Sequence, residues 1–285
     1  MTFNIGAHVS VAGGVTNAIE EQDDIDGTCG QIFAGSPRTW SVASYTDEEG
    51  QSFREARSDH EQGPYVIHST YLVNLATPKD DLFDKSVQCL RDELEAAGQL
   101  GVEYVVFHPG SHTGAGVEAG IESIGQGLSD LADVIPDETM VLLENTAGAG
   151  TSLGRDLEEL QAMIEASSLD LGEDVGICID TCHAFVAGYD LRTTEGVQEL
   201  VDDCRRTVGL DTVPVIHLND SKHPYGSEKD EHAHLGAGEI GDPGMAAIVT
   251  HDALTDKAFV LETPVEDGKG YAENIEHARG LRGEH

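Results

Sequence analysis

The chain has 285 residues, enough for one large α/β barrel or two small domains, and 39% hydrophobic content suits a packed core. No apolar run approaches the ~18 residues of a membrane span, and the opening MTFNIGAHVS has neither the basic start nor the apolar stretch of a secretory signal, which points to the cytosol. Fifty-three Asp and Glu against sixteen Lys and Arg leave a net charge of −37, spread among periodic apolar positions as on a folded protein with an acidic surface. Such a surface repels itself, and near-molar salt, where the Debye length is ~3 Å, screens the repulsion. The sequence therefore reads as adapted to a high-salt cytosol. Five Cys with no close CxxC pair read as reduced, buried thiols, Cys178 and Cys182 included.

In chain order, strands are expected at residues 4–9 and 30–34, with a helix near 15–22 between them. From there one unit recurs: a short apolar run that ends in a metal-capable residue. Tyr65-Val66-Ile67 leads into His68, Val105-Val106-Phe107 into His108, and Val141-Leu142-Leu143 into Glu144. Ile177-Cys178-Ile179 leads into Asp180, Val215-Ile216 into His217, and Phe259-Val260-Leu261 into Glu262. The steps between those end residues are 40, 36, 36, 37 and 45 positions, the length of a strand, a helix and two loops. Helical periodicity fills the intervals at 84–100, 116–134, 156–166 and 193–208. Gly98 and Gly101 bracket the expected end of the first of these. Eight βα units follow, hence an α/β fold: one (β/α)8 TIM barrel spanning the chain as a single domain. A doubly wound open sheet is the competing fold, but it would not bring six strand ends into one pocket.

His68, His108, Glu144, Asp180, His183, His217, Asp230, His232 and Glu262 form the candidate ligand set. Imidazole and carboxylate without thiolate is the donor set of catalytic zinc or manganese sites. Asp180 and His183 flank an immediate turn, and Asp230 and His232 share one side of an extended segment. Nine ligands exceed the needs of one ion and suit two or three with a bridging carboxylate. Clustered divalent ions are well matched to the attacking and leaving oxygens of phosphoryl transfer. Any one strand-end His, taken alone, is better read as structural.

The stretches HPGSH (108–112), ENTAG (144–148), CIDTCHAFVAGYDLR (178–192), HLNDSK (217–222), DEHAHLGAGEIG (230–241) and LET (261–263) resemble the endonuclease IV family, the AP endonucleases of family 2. The resemblance runs from GAHVS (6–10) to about residue 275. It implies three metal ions, zinc as a rule, with manganese an option at the third site. His68, His108 and Glu144 would hold the first, and a bridging Glu144 with Asp180, His217 and Glu262 the second. His183, Asp230 and His232 would hold the third. The implied reaction is hydrolysis of the phosphodiester 5′ to an abasic site in double-stranded DNA, leaving a 3′-hydroxyl, together with trimming of blocked 3′ ends. Glu144 would be the catalytic residue that orients the nucleophile. SPRTW (36–40) and HSTYLVNL (68–75) resemble the family's DNA-holding loops, which gives Arg38, Tyr71 and Leu72 the role of wedging into the stack at the lesion. Trp40 either joins them or merely covers the barrel mouth. Gly35-Ser36 departs from the Lys-Asn pair frequent in relatives and removes one positive charge from that loop. His8, His112, Asn219 and Lys222 either orient ligands, touch phosphate or serve structure alone. His60, His223, His251, His277 and His285 read as solvated, on surface helices or tails.

A −37 chain gains little from a broad basic patch, because counterion release contributes little at high salt. Metal–phosphate bonds and wedging should carry the affinity, with basic residues concentrated at Arg38, Arg192 and Lys222. The same barrel serves sugar isomerases and epimerases, and a non-catalytic damaged-DNA binder is the other alternative. The full ligand set and the wedge loops favour the nuclease. Neither an obligate protein partner nor a membrane is expected, and a monomer suffices.

Overall fold

The computed structural model of the chain describes residues 3–265 and 270–283. Its strands are β1 (Asn4–His8), β2 (Cys29–Ile32), β3 (Tyr65–His68), β4 (Tyr104–Phe107), β5 (Met140–Glu144), β6 (Val175–Asp180) and β7 (Val215–His217). They continue with β8 (Asp220–Ser221), β9 (His232–Ala233) and β10 (Ala258–Leu261). All but β8 and β9 pair in parallel into a closed barrel, in which β10 and β1 join through the Asn4↔Ala258 to Ala7↔Leu261 register. The strands are short apolar runs because both faces are buried. The helices α1 (Asn17–Asp24), α2 (Asp47–Asp59), α3 (Asp80–Leu100), α4 (Val117–Ser129) and α5 (Leu157–Glu165) follow the first five strands. α6 (Thr181–Ala187) and α7 (Thr194–Thr207) both follow β6, α8 (Gly241–Val249) follows the β8–β9 hairpin, and α9 (Tyr271–Arg282) follows β10.

The pleat decides which residues reach the site. Val66, Val106, Leu142, Cys178, Val215 and Val260 form one buried cluster, the layer inside the barrel. Their neighbours Ile67, Phe107, Leu143 and Ile179 belong to the larger cluster beneath the helices. Successive side chains alternate faces. The residues two positions beyond the interior layer therefore face inward again, at the C-terminal mouth, and they are His68, His108, Glu144, Asp180, His217 and Glu262.

Local rules set the helices. Leu90, Leu94 and Ala97 give α3 its buried stripe, and each such Leu side chain contributes about 1.5–3 kcal/mol by leaving water. α3 stops at Gly101, whose φ of 70° is the left-handed cap that glycine adopts without strain. Gly98, by contrast, stays inside the helix, where a Cβ would stand 3.1 Å from the Pro136 ring. α3 begins four residues before the expected start, and α4 ends five before its expected end. α2 begins with a capping box between Thr46 and Glu49, a signal that apolar periodicity does not carry. No helix among the described residues is long and apolar enough to cross a membrane.

Candidate metal centre at the barrel mouth

Glu144, at the end of β5 and fully buried, stands at the middle of the cluster. Its Oε2 lies 3.2 Å from His68 Nε2 and 3.0 Å from His108 Nε2, and its Oε1 lies 3.2 Å from His217 Nδ1 and 3.3 Å from His183 Nδ1. One carboxylate thus spans two groups of imidazoles. His183 Nε2 is 3.1 Å from Asp230 Oδ2, and His232 Nε2 is 3.3 Å from Asp230 Oδ1. Among the described residues, five groups have donor atoms all within 4.8 Å of one another, and three of these match the expected sets: His68, His108 and Glu144; Glu144, Asp180, His217 and Glu262; and His183, Asp230 and His232. All nine expected ligand residues fall into these groups. His183 arrives there because Asp180 accepts its backbone N–H at 2.8 Å and caps α6. The β8–β9 hairpin, not anticipated from the sequence, delivers Asp230 and His232.

Hydrogen bonds from behind fix which nitrogen faces the cavity. His68 Nδ1 donates to the Ser69 carbonyl at 2.8 Å, which leaves Nε2 for the cluster. His217 Nε2 donates to Gln31 Oε1 at 2.9 Å, which leaves Nδ1. Gln31 Nε2 also donates to Glu262 Oε1 at 2.6 Å. Asn219 donates to Asp180 Oδ2 at 2.7 Å and accepts the Glu262 N–H at 2.9 Å. Asn145 accepts the Asp180 N–H at 2.6 Å, and its carbonyl takes the His183 Nδ1–H at 2.9 Å. Such supporting partners typically change metal affinity or activity by about 10–100-fold when removed. Gln31 and Asn145 escaped the sequence reading. Gln31 had a usable signal, since it stands two residues after the interior Cys29, on the inward face of β2.

The electrostatics match a cation trap. Burial alone would push the Glu144 carboxyl up, but the His108 and His217 imidazoles outweigh it and hold it well below the usual carboxylate range. Burial pulls His232 down, yet Asp180 and Asp230 win and raise it to about 9. His183 is likewise held well above its ordinary value, burial being outweighed by Asp180, Asp230 and Glu144. Protons on imidazole here do the neutralising that cations would do. The donors fit divalent metal: hard oxygens, imidazole nitrogens, and a buried His232 Nε2 that faces Asp230 at 3.3 Å and Asp180 at 3.6 Å without a well-formed hydrogen bond to either. Cys182 also lies beside Asp180 and His232, and burial pushes its thiol up to about 12. All five cysteines are free and buried.

The remaining candidates scatter. Tyr71 is 70% exposed and packs edge-on against Phe33 at 5.7 Å. Leu72 and Trp40 line a cavity of about 530 Å³ that reaches His108, His183 and Asp230. A second cavity of about 320 Å³ opens on the cluster between Phe33, Tyr71 and Tyr271. The two loops expected to hold DNA are tied together, because Thr70 Oγ1 donates to the Pro37 carbonyl at 2.7 Å. Arg38 is exposed, and Gly35 is required by a close approach in which a Cβ would stand 2.2 Å from the Ser41 carbonyl oxygen. His8 lines the second cavity and packs on Phe33 at 4.2 Å. His112 turns away to the loop after it, where Nδ1 accepts the Gly116 N–H at 3.0 Å. Lys222 and Arg192 are engaged by carboxylates: Lys222 pairs with Glu231 at 2.8 Å and Arg192 with Asp190 at 2.7 Å. His223 sits in the β8–β9 hairpin, not on a helix, 3.0 Å from Glu231. His60, His251 and His277 lie at the surface, paired with Asp23, Gln198 and Asp242, and His285 falls outside the described residues.

Beneath the Tyr71 loop, Glu93 of α3 is 3% exposed, accepts the Thr70 N–H at 3.2 Å, and has a second oxygen without a partner. Burial raises its carboxyl to about 7. A raised folded-state value means that stability is lost as pH climbs from about 4.5 to 7. Glu93→Gln removes that loss. The variant should be more stable than the parent by about 2 kcal/mol at pH 8.5 and little changed near pH 4.5, measured by thermal melts at fixed salt.

A closed parallel barrel whose strand ends converge on imidazoles and carboxylates defines the class: a TIM-barrel protein with a cluster of metal-ligand-type residues at its C-terminal mouth. Residues 23–281 match the family described as xylose isomerase-like TIM barrel. The chain is 50% identical over 280 residues to "Probable endonuclease 4" of Haloarcula marismortui, covering 98% of this chain and 99% of that one. It superposes on the crystal structure of endonuclease IV from Thermus thermophilus with a TM-score of 0.86 at 39% identity, covering 99% and 100% of the two chains. A D-tagatose 3-epimerase-like protein, at 20% identity and a TM-score of 0.71 over 98% of each chain, shares the fold alone. The chain belongs to the endonuclease IV family.

Proposed function

We propose that this protein is an AP endonuclease that hydrolyses the phosphodiester 5′ to an abasic site in duplex DNA, leaves a 3′-hydroxyl, and trims blocked 3′ ends. The observation that carries this reading is the bridging position of Glu144, whose two oxygens face two imidazole groups at 3.0–3.3 Å. His68, His108 and Glu144 would hold one ion, Glu144 with Asp180, His217 and Glu262 a second, and His183 with Asp230 and His232 a third. Zinc suits the first two and zinc or manganese the third. When bound, the ions supply Lewis-acid stabilisation to the attacking and leaving oxygens of the phosphodiester.

The protein's own groups do the rest. Glu144 orients the attacking water toward phosphorus with a carboxylate that the surrounding imidazoles keep charged. Gln31, Asn145 and Asn219 hold the ligands in their orientation. Tyr71, standing clear of the surface, and Leu72, at the wall of the larger cavity, enter the base stack, and Arg38 follows them. A missing base makes that insertion inexpensive, so lesion recognition needs little general attraction for DNA. The chain is read as acting as one catalytic unit, alone and in the cytosol.

The test is incision of a duplex with one abasic analogue in about molar KCl, with product ends resolved on a denaturing gel. Incision 5′ to the lesion that a strong chelator abolishes and added zinc or manganese restores is the expected result. Intact substrate under every metal condition, with folded protein, would overturn the proposal.

A further inference from the structure

With 53 acids facing 16 bases, a cation left without a partner is unusual in this chain. Arg57 pairs with Glu103, Arg91 with Asp133, Arg155 with Glu228 and Lys257 with Asp256. Arg54 and Arg279 donate to backbone carbonyls. Among the described residues, four basic side chains make neither an ion pair nor a hydrogen bond: Arg38, Lys79, Lys85 and Lys229. Their places in the fold are not random. Arg38 lies between β2 and α2, Lys79 and Lys85 at the junction of β3 with α3, and Lys229 in the β8–β9 hairpin beside Asp230. All four fall in segments that follow a strand's C-terminal end, on the face that carries the ligand cluster.

Two of them share a site. Lys79 and Lys85, both exposed, line a hollow of about 440 Å³ with Trp40, Leu82, Asp80 and Asp81. Trp40 and Leu82 also line the 530 Å³ cavity that reaches His108, His183 and Asp230, so the hollow continues that cavity outward. Asp80 and Asp81 occupy the first turn of α3, where the helix dipole favours them. They leave the hollow nearly neutral, so it exerts no strong general pull on a polyanion. What it offers is two ammonium groups with no partner to surrender and an aromatic wall.

We propose that Lys79 and Lys85, which line one hollow with Trp40, bind backbone phosphates of the duplex flank that leaves the site past the Tyr71–Leu72 loop. The assignment rests on the DNA reading above and adds a contact that reading does not need. It also accounts for the charge problem. Local, unpaired lysines grip individual phosphates at contact range, where screening matters least, while the acidic surface elsewhere offers no further phosphate contacts.

The experiment uses the full-length, metal-loaded protein and a labelled abasic-analogue duplex, with binding measured across a KCl series and incision measured at saturating enzyme. Each phosphate contact contributes about 0.9 to the slope of log K against log[salt]. The Lys79→Gln/Lys85→Gln variant should show a slope shallower by about 2, with its single-turnover incision rate unchanged. A duplex shortened on that flank should erase the difference between variant and parent. Asp80→Asn/Asp81→Asn should act in the opposite sense and tighten binding. An unchanged slope, with the parent still cutting abasic DNA, would overturn this proposal alone. A parent that neither binds nor cuts such DNA would overturn the DNA reading and this inference with it.

Discussion

Glu144→Gln should abolish incision while leaving binding of abasic duplex nearly intact. The substitution keeps the volume and one carbonyl oxygen but removes the charge that faces His68, His108, His183 and His217 at 3.0–3.3 Å. Losing one preorganised electrostatic group costs about 10²–10³ in rate. Here the same group also links two sets of ligands, so a fall of at least about 10³ in kcat/KM is expected. The loss should appear in kcat, because Tyr71 and Leu72, the residues proposed to enter the base stack, are untouched. Removing one member of a buried charged network also destabilises, by about 3–5 kcal/mol when nothing compensates. A thermal melt and metal analysis of the variant therefore accompany the kinetics. Incision within tenfold of the parent, with metal still bound, would show that Glu144 is not the pivot of the centre.

The second large effect should come from dilution of salt. A net charge of −37 over 11990 Å² is one uncompensated charge per about 320 Å², a mean spacing of roughly 18 Å. The Debye length is ~3 Å in molar salt and ~10 Å at 0.1 M, so a pair at the mean spacing keeps about a sixth of its unscreened repulsion at 0.1 M and almost none in molar salt, closer pairs keep more, and the sum runs over the whole surface. Moving from about 2 M to about 0.1 M KCl should lower the melting temperature by roughly 20 °C or unfold the protein outright. Sucrose at matched osmolality should not restore the fold, because it excludes itself from the surface without screening charge. A melting temperature indifferent to KCl would remove the electrostatic account of the acidic surface.

Much of the site was legible in the chain because a barrel strand is a simple object. An apolar run that ends in His, Glu or Asp, repeated at intervals of 36 to 45 residues, fixes both the βα rhythm and the mouth of the barrel. His68, His108, Glu144, Asp180, His217 and Glu262 could be picked out for that reason. His183 followed from the turn after Asp180. Gln31 was missed although its inward parity on β2 marks it, because an amide at a strand end looks unremarkable beside a histidine. Tyr271 carries no local signal; it reaches the mouth because α9, which follows the last barrel strand, begins there. The β8–β9 hairpin was hidden as well, since two-residue strands leave no periodicity to read.

What the sequence determined by itself is composition and period: an acidic surface, eight alternating units and a ring of metal-type residues, each set by local patterning. What only the tertiary structure decided is pairing. It decided that Lys222 and Arg192 are taken by Glu231 and Asp190, that His112 serves its own loop, and that Lys79 and Lys85 stand open beside Trp40. Such outcomes depend on distances of a few ångströms between residues far apart in the chain, and Coulomb energy, falling with separation and with screening, is decided at that range.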